Sequence, residues 1–508
     1  MFGSYNLQMP SIDSEPKILC ASVKPSEVLC DFLVIPVFED DQLLDLEGLD
    51  SASGGEISRA RATREFSAKP SNIFTTRIND LNWKAKRVAL VGVGSEGEET
   101  VNCYRKVASM AVRSARQQRM QSVAFLLRGN VPLELAAQAV AEGLVIGSFS
   151  DRRFKTSDEE ALTSIKTFQI VFTTNVTSEL TRAVDIGWTV AEATNRAREL
   201  ANTPGNVLTP SIFADQASSL VIDHGITVEL LDEEAIKSQG MGLLLGVARG
   251  SVEPPRLIVM RHEPADATEG PVLGLVGKGV TFDSGGISLK PADGMERMKE
   301  DMAGGAAVVC AMRAIGALGF PRRVIGIVPA TENMPGGRAT KPGDVLTGAN
   351  GKTIEVVNTD AEGRLILGDA LWYAQKQGAT HLVDVATLTG ACVVALGNVA
   401  SGLFGSPSSW VETVRQAANR AGETVWQLPI YEEYREQLRS EIADLSNIGG
   451  REAGACTAAT FLDSFIEDIP WAHFDIAGTA WLENKRFEQD KGSTGVMVRT
   501  LTELARTI

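Results

Sequence analysis

The chain has 508 residues, 44% apolar and 22% charged, with a formal net charge of −15. At about 100–200 residues per domain, that length suggests at least two domains with cores large enough to be stable. The acidic balance disfavours nucleic acid or an anionic membrane as a general partner, and no window reaches the ~20 continuous apolar residues of a membrane-spanning helix.

The stretch from Met1 to Lys17 carries two acids before its first lysine and has no apolar run. It reads neither as a secretory signal nor as an Arg-rich transit peptide. The six cysteines (Cys20, Cys30, Cys103, Cys310, Cys392 and Cys456) are scattered with no CxxC pair. Reduced, buried thiols in a reducing, cytoplasmic compartment are the expectation.

From about 18 to 175, short apolar runs alternate with helical stretches. Asp31–Val37 and Arg87–Val91 read as strands, and Val101–Gln118 and Leu133–Leu144 as helices. This alternation predicts α/β with a largely parallel sheet. Gly92-Val-Gly-Ser-Glu-Gly97 matches G-x-G-x-x-G after a strand, which invites a nucleotide-binding reading of this region. Glu98 and Glu99 then put negative charge where a pyrophosphate needs positive potential, and Arg113–Arg128 lacks the ribose-binding acid. A plain turn is the better reading.

A helical stretch over about Ser178–Ala201 ends at Asn202-Thr203-Pro204-Gly205, because proline cannot continue a helix. Its ~24 residues span about 36 Å, enough to link two domains. Beyond 205 the alternation resumes. Strands are expected at Arg256–Met260, Val272–Val276, Val324–Val328, Ile354–Val357 and His381–Val385, and helices at Met298–Leu318 and Arg364–Gln377. The fold class is α/β: a smaller N-terminal α/β domain, a long linking helix, and a larger C-terminal α/β domain with a mixed, mostly parallel sheet.

Asp283-Ser-Gly-Gly286 invites comparison with a serine-protease nucleophile. Ser284, however, has no histidine base of suggestive context among His224, His262, His381 and His473. The same segment, Gly277-Lys-Gly-Val-Thr-Phe-Asp-Ser-Gly-Gly-Ile-Ser-Leu-Lys-Pro291, reads better as a Gly-rich loop at the carboxyl end of a strand, where open α/β sheets bind ligands. It carries Lys278, Asp283 and Lys290, and Asp301 follows at the expected start of a helix.

A second strand leads into Asn358-Thr-Asp-Ala-Glu-Gly-Arg-Leu365. In extended chain, residues two apart lie about 7 Å apart on one side, so Asn358, Asp360 and Glu362 are expected to face one way. Gly363 is then expected to turn the chain into a helix from Arg364. Four carboxylates converging at a sheet edge resist ionisation unless cations are present. Two divalent metals, ~3.5–4 Å apart and bridged by carboxylates, resolve the repulsion. Histidine-based zinc is disfavoured, because the four histidines lack ligand spacing.

Lys278, Asp283, Lys290 and Asp301 together with Asn358-Thr-Asp-Ala-Glu-Gly-Arg-Leu365 resemble the leucyl (cytosol) aminopeptidases, a family of two-metal peptidases. Asn202–Asn206 with Thr209-Pro210, Met241–Ser251 and His473-Phe-Asp-Ile-Ala-Gly478 resemble it too. The similarity is specific over about 195–500, and the N-terminal third resembles the family in architecture. Gly492-Ser-Thr-Gly495 departs slightly, with serine where alanine is expected.

The resemblance implies an N-terminal (macro-like) domain over 1–175, a linking helix over 176–203 and a catalytic domain over 204–508. It implies that Asp283 and Glu362 bridge two metals, that Asp360 completes one site, and that Lys278 and Asp301 complete the other. Lys290 would stabilise the oxyanion and Arg364 would hold a bicarbonate acting as general base. Met298, Asn358, Thr387 and Gly390 would line the substrate pocket. A metal-activated water would then release leucine and other, mainly apolar, residues from peptide N-termini. The implied cofactors are Mn or Zn, with Mg or Co as further candidates, plus bicarbonate. The family also implies a homohexamer. The rival reading is a DNA-binding hexamer with Arg152, Arg153 and Lys155 as contacts, against a plain solvated loop.

Overall fold

The computed structural model describes residues 17–156 and 164–508. The segment read above as free of a targeting signal lies outside them, apart from Lys17. The chain forms two compact units. One takes residues up to Glu192 with Asn484–Lys491, and the other takes Ala193–Glu483 with Gly492–Ile508.

The first unit holds strands β1 (Lys17–Ser22), β2 (Phe32–Phe38), β3 (Ile73–Arg77), β4 (Arg87–Gly94), β5 (Ser122–Leu126) and β6 (Thr167–Phe172) in the order β1-β6-β5-β2-β4-β3. All neighbours pair in parallel except β3 on β4. Every residue of β2 is buried, as a continuous apolar run in a covered parallel sheet requires.

Helices Val101–Gln117 and Leu133–Ser148 end within a few residues of expectation. Past β4, the backbone N–H groups of Gly97 and Asn130 donate to the Glu99 carboxylate at 2.6 and 2.7 Å. The G-x-G-x-x-G turn is thus closed by its own acid. Arg153 is engaged by Asp151 at 2.8 Å and lies over the Phe154 ring.

The second unit holds β7 (Thr227–Leu231), β8 (Arg256–His262), β9 (Leu273–Gly277), β10 (Gly279–Asp283), β11 (Val324–Asn333), β12 (Asp344–Thr347), β13 (Thr353–Val356), β14 (His381–Ala386), β15 (Ser401–Ser406), β16 (Val425–Gln427), β17 (Leu445–Ser446) and β18 (Trp471–Asp475). Its main sheet runs β16-β15-β18-β14-β9-β11-β8-β7, with β10 also on β11. β18, β14, β9 and β11 are parallel neighbours, whereas β15, β8 and β7 join antiparallel. The sheet is mixed and mostly parallel, as expected.

One apolar layer packs Ala303–Leu318 against one face of this sheet, and a second packs Glu362–Lys376 against the other. Residues 295–318 are long and apolar enough to cross a membrane by composition, but 78% of their apolar 18-residue window is buried inside the protein.

Two local expectations are corrected. The stretch expected as one helix from Met298 is a 3-10 turn, Met295–Glu300, followed by a helix from Ala303. The break lets the Gly305 N–H donate to the Lys278 carbonyl at 2.7 Å and leaves Asp301 in the gap. The stretch 358–362 is not extended. Asn358 Oδ1 accepts from Asp360 N at 2.9 Å, which folds the chain into a turn. The helix begins at Glu362, so Gly363 lies in its first turn. A Cβ there would meet Lys278 Nζ at 2.7 Å, so this glycine serves close approach rather than turning.

Candidate active site

The carboxyl ends of β9, β10 and β14, with the turn after β13, bring the charged residues together. Lys278 follows β9 directly and is 3% exposed. Its ammonium lies 2.8 Å from Asp301 Oδ2 and 2.7 Å from Glu362 Oε1, and donates to the Thr387 carbonyl at 3.0 Å. Lys290 lies 2.8 Å from Asp283 Oδ2 and 2.5 Å from Asp360 Oδ1. Asp283, Asp301 and Glu362 each present a carboxylate oxygen within 4.8 Å of the others.

Neighbouring side chains fix these groups. Asn333, at the end of β11, donates to Asp283 Oδ1 at 2.8 Å and to the Thr359 carbonyl at 3.0 Å. Thr387 donates its hydroxyl to Asp301 Oδ1 at 2.7 Å. Asn447 accepts from the Val357 and Asn358 amides, donates to the Asn358 carbonyl, and receives Arg364 Nη1 on its own carbonyl at 2.9 Å. Sequence reasoning missed Asn333 and Asn447. Each is a lone asparagine distant in sequence from the motif, and no spacing signals either. Ser284 donates its hydroxyl to the Asn333 carbonyl at 2.7 Å, a structural contact.

The charges do not balance. Four acids meet two lysines, and Asp283, Asp301 and Glu362 are buried. Burial raises the Asp301 carboxyl; Lys278 opposes this, Glu362 and Asp283 add to it, and the net is well above the usual carboxylate range. Glu362 is raised by burial and Asp283 against the pull of Lys278 and Lys290. Asp360 is raised by burial and Asp283. Burial lowers both lysines, but the acids around them overcome it and hold each above its ordinary value. Burial brings the Arg364 guanidinium down to about 10.

Glu362 Oε2 is buried with no hydrogen-bond partner among the described residues. Buried polar atoms are almost always paired, and surplus negative charge with an open carboxylate oxygen fits hard divalent cations, which take oxygen ligands.

These residues open on a cleft of about 830 Å3, within which all eleven residues singled out from the sequence lie. Lys278, Asp283, Lys290, Asp301, Asp360 and Glu362 form its charged floor, with Arg364 and Asn358 beside them. Met298, Thr387 and Gly390 line its walls. None of the four histidines lines it. The cleft also takes Ile448, Gly454, Ala477, Trp481 and Glu483 from the C-terminal part of the chain, which sequence reasoning did not assign.

Residues 195–502 match the model of the cytosol aminopeptidase family, catalytic domain, and residues 34–158 match that of the N-terminal domain. A protein of Solibacter usitatus described as a probable cytosol aminopeptidase is 47% identical, over 94% of this chain and 97% of its own length. One from Alkaliphilus metalliredigens, described in the same words, is 44% identical over 96% and 98%.

Among solved structures, a tomato leucine aminopeptidase mutant is similar at a TM-score of 0.90 and 33% identity, covering 98% of each chain. The bottromycin maturation enzyme BotP in complex with Mn is similar at 0.84 and 37%, covering 94% of this chain and 99% of its own. The chain belongs to the cytosol aminopeptidase family and is a hydrolase of peptide bonds.

Proposed function

We propose that this aminopeptidase releases leucine and other, mainly apolar, residues from peptide N-termini with the help of two divalent metal ions. The observation that carries the reading is the charge surplus around Glu362, whose Oε2 is buried with no hydrogen-bond partner among the described residues. Asp283 and Glu362 would hold both ions, Asp360 would complete one site, and Lys278 and Asp301 the other. Mn or Zn suits this donor set, with Mg or Co as alternatives. Bound there, such ions polarise a carbonyl and make water acidic enough to act near neutral pH.

The chain's own cations divide the remaining work. Lys290 reaches the cleft from a loop and donates to the oxygen on which negative charge develops. Arg364, buried and anchored on the Asn447 carbonyl, would hold a bicarbonate, which would supply a general base beside the cleft. Met298, Asn358, Thr387 and Gly390 shape the substrate pocket. The proposed frame is a domain over 1–175, a linking helix over 176–203 and a catalytic domain over 204–508, assembled as a cytoplasmic homohexamer.

The reading requires a free α-amine on the substrate. Leucinamide should be hydrolysed and N-acetyl-leucinamide should not, as followed by release of ammonia. Equal turnover of the two overturns the assignment.

A further inference from the structure

Asp475 ends β18 and is 1% exposed, yet it is none of the groups assigned to the metals, the oxyanion or the anion. Its neighbour on β14 is Ala386, the last residue of that strand. Each strand runs on into a turn that lines the cleft, and the Asp475 carboxylate ties the two turns together. Oδ1 accepts from Leu388 N at 3.2 Å, from Thr389 N at 3.4 Å and from Ala477 N at 3.1 Å. Oδ2 accepts from the Thr389 hydroxyl at 2.6 Å.

The contact continues outward. Thr389 Oγ1 accepts from Cys392 N at 3.0 Å and so caps the helix Gly390–Leu396, whose first residue lines the cleft. The other end of that helix is held by the same strand extension. A Cβ on Gly478 would stand 2.1 Å from the Gly397 carbonyl oxygen, so only glycine allows that approach. One side of the cleft is therefore a helix gripped at both ends by residues 475–478, and Asp475 supplies the only charge in that grip. A buried carboxylate loses much solvation, and four donors from two turns compensate it while fixing where those turns sit.

We propose that Asp475 is a positioning residue of the pocket for the substrate's first side chain, setting the pocket's width and hence its preference for large apolar residues. The inference rests on the reading of the cleft as an aminopeptidase site. Thr387, just before the clamped turn, also holds Asp301 and Lys278, so a purely structural Asp475 would affect every substrate alike. A pocket wall affects large first residues most. Discrimination by an apolar pocket amounts to about 10–200-fold per methylene, so a displaced wall removes roughly the lower end of that range.

The experiment compares leucyl-, phenylalanyl- and alanyl-amide hydrolysis by the full-length, metal-loaded chain and three variants. Asp475→Asn weakens the clamp. Thr389→Val removes one donor while keeping shape, and Thr389→Ser restores the hydroxyl. KM for the leucyl and phenylalanyl substrates should rise about 10-fold in Asp475→Asn and Thr389→Val, with kcat within about 2-fold and the alanyl KM nearly unchanged. Thr389→Ser should restore wild-type preference, so the Thr389 pair carries the test if Asp475→Asn does not fold. A loss shared equally by all three substrates, or preference unchanged in folded Thr389→Val, overturns the proposal. Wild-type protein that cleaves none of the three strikes the aminopeptidase reading itself.

Discussion

Arg105 and Glu142, on two helices of the first unit, are buried charges, and so are the lysines and carboxylates of the second unit. In the first unit Arg105 Nε meets Glu142 Oε2 at 2.5 Å, Arg105 Nη1 donates to Asn102 Oδ1 at 3.0 Å, and Gln138 donates to the other Glu142 oxygen at 2.9 Å. Among the described contacts, both Glu142 carboxylate oxygens have donors. In the second unit four acids meet two lysines, and Glu362 Oε2 has no hydrogen-bond partner among the described residues.

A buried carboxylate with donors on both oxygens can be kept for structure alone. A surplus with an open oxygen calls for a ligand. Burial by itself does not separate the cases. Asp369 is pushed up to about 7 by burial although the amides of Ala349, Leu244 and Leu243 donate to it, and it lies outside the cleft.

The contrast breaks most visibly at Glu362. Glu362→Gln keeps the shape and removes a charge assigned to both ions. If the ions contribute several kcal/mol to the transition state, kcat/KM should fall about 10³-fold or more. Steady-state hydrolysis of leucinamide measures this, and retention of more than about a tenth of the activity would refute it.

Lys290 and Arg364 sharpen the account. Lys290→Ala should lower kcat by about 10²–10³, and Arg364→Ala by about 10²–10⁴. Because the ranges overlap, bicarbonate separates them. After degassing, added bicarbonate should activate wild type and Lys290→Ala but leave Arg364→Ala nearly indifferent, with both ions still bound. Bicarbonate activation that persists in Arg364→Ala removes the role assigned to that residue.

The smallest effect on turnover is expected at the Arg105–Glu142 pair. Arg105→Met removes a buried ion-pair partner of Glu142 and should cost up to about 3–5 kcal/mol of stability in denaturant unfolding. The kcat of the folded protein should stay unchanged. A fall in kcat without loss of stability would erase the distinction between the two regions.

The alternation of short apolar runs and helical stretches made the α/β class legible, because buried parallel strands and amphipathic helices impose different periods. The octapeptide at Asn358 and the Lys278–Lys290 loop pointed to residues that do share one cleft. What sequence reasoning could not supply was how they arrive there. It expected an extended run at 358–362, where the Asn358 side chain makes a turn instead, and a turning role for Gly363, which makes room for Lys278. It also could not find Asn333 or Asn447, and it quoted the stretch that holds Asp475 without giving that residue a role. Each acts through contacts between strands far apart in the chain, and a single polar residue at a strand end carries no periodic signal.

The central claim is that the unbalanced cluster binds two divalent ions, and calorimetric titration of Mn into ion-stripped protein, in buffers of different ionisation enthalpy, tests it most directly. Asp301, Glu362 and Asp360 are all raised, and Lys278 is raised as well. An incoming cation competes with protons for these groups, so affinity should fall as pH falls. The account predicts two ions per chain and net proton release. Affinity should strengthen about 10-fold per pH unit for each proton released, or about 100-fold between pH 6 and 8 for one. A single ion per chain, or two bound with no proton release and no pH dependence, would contradict it.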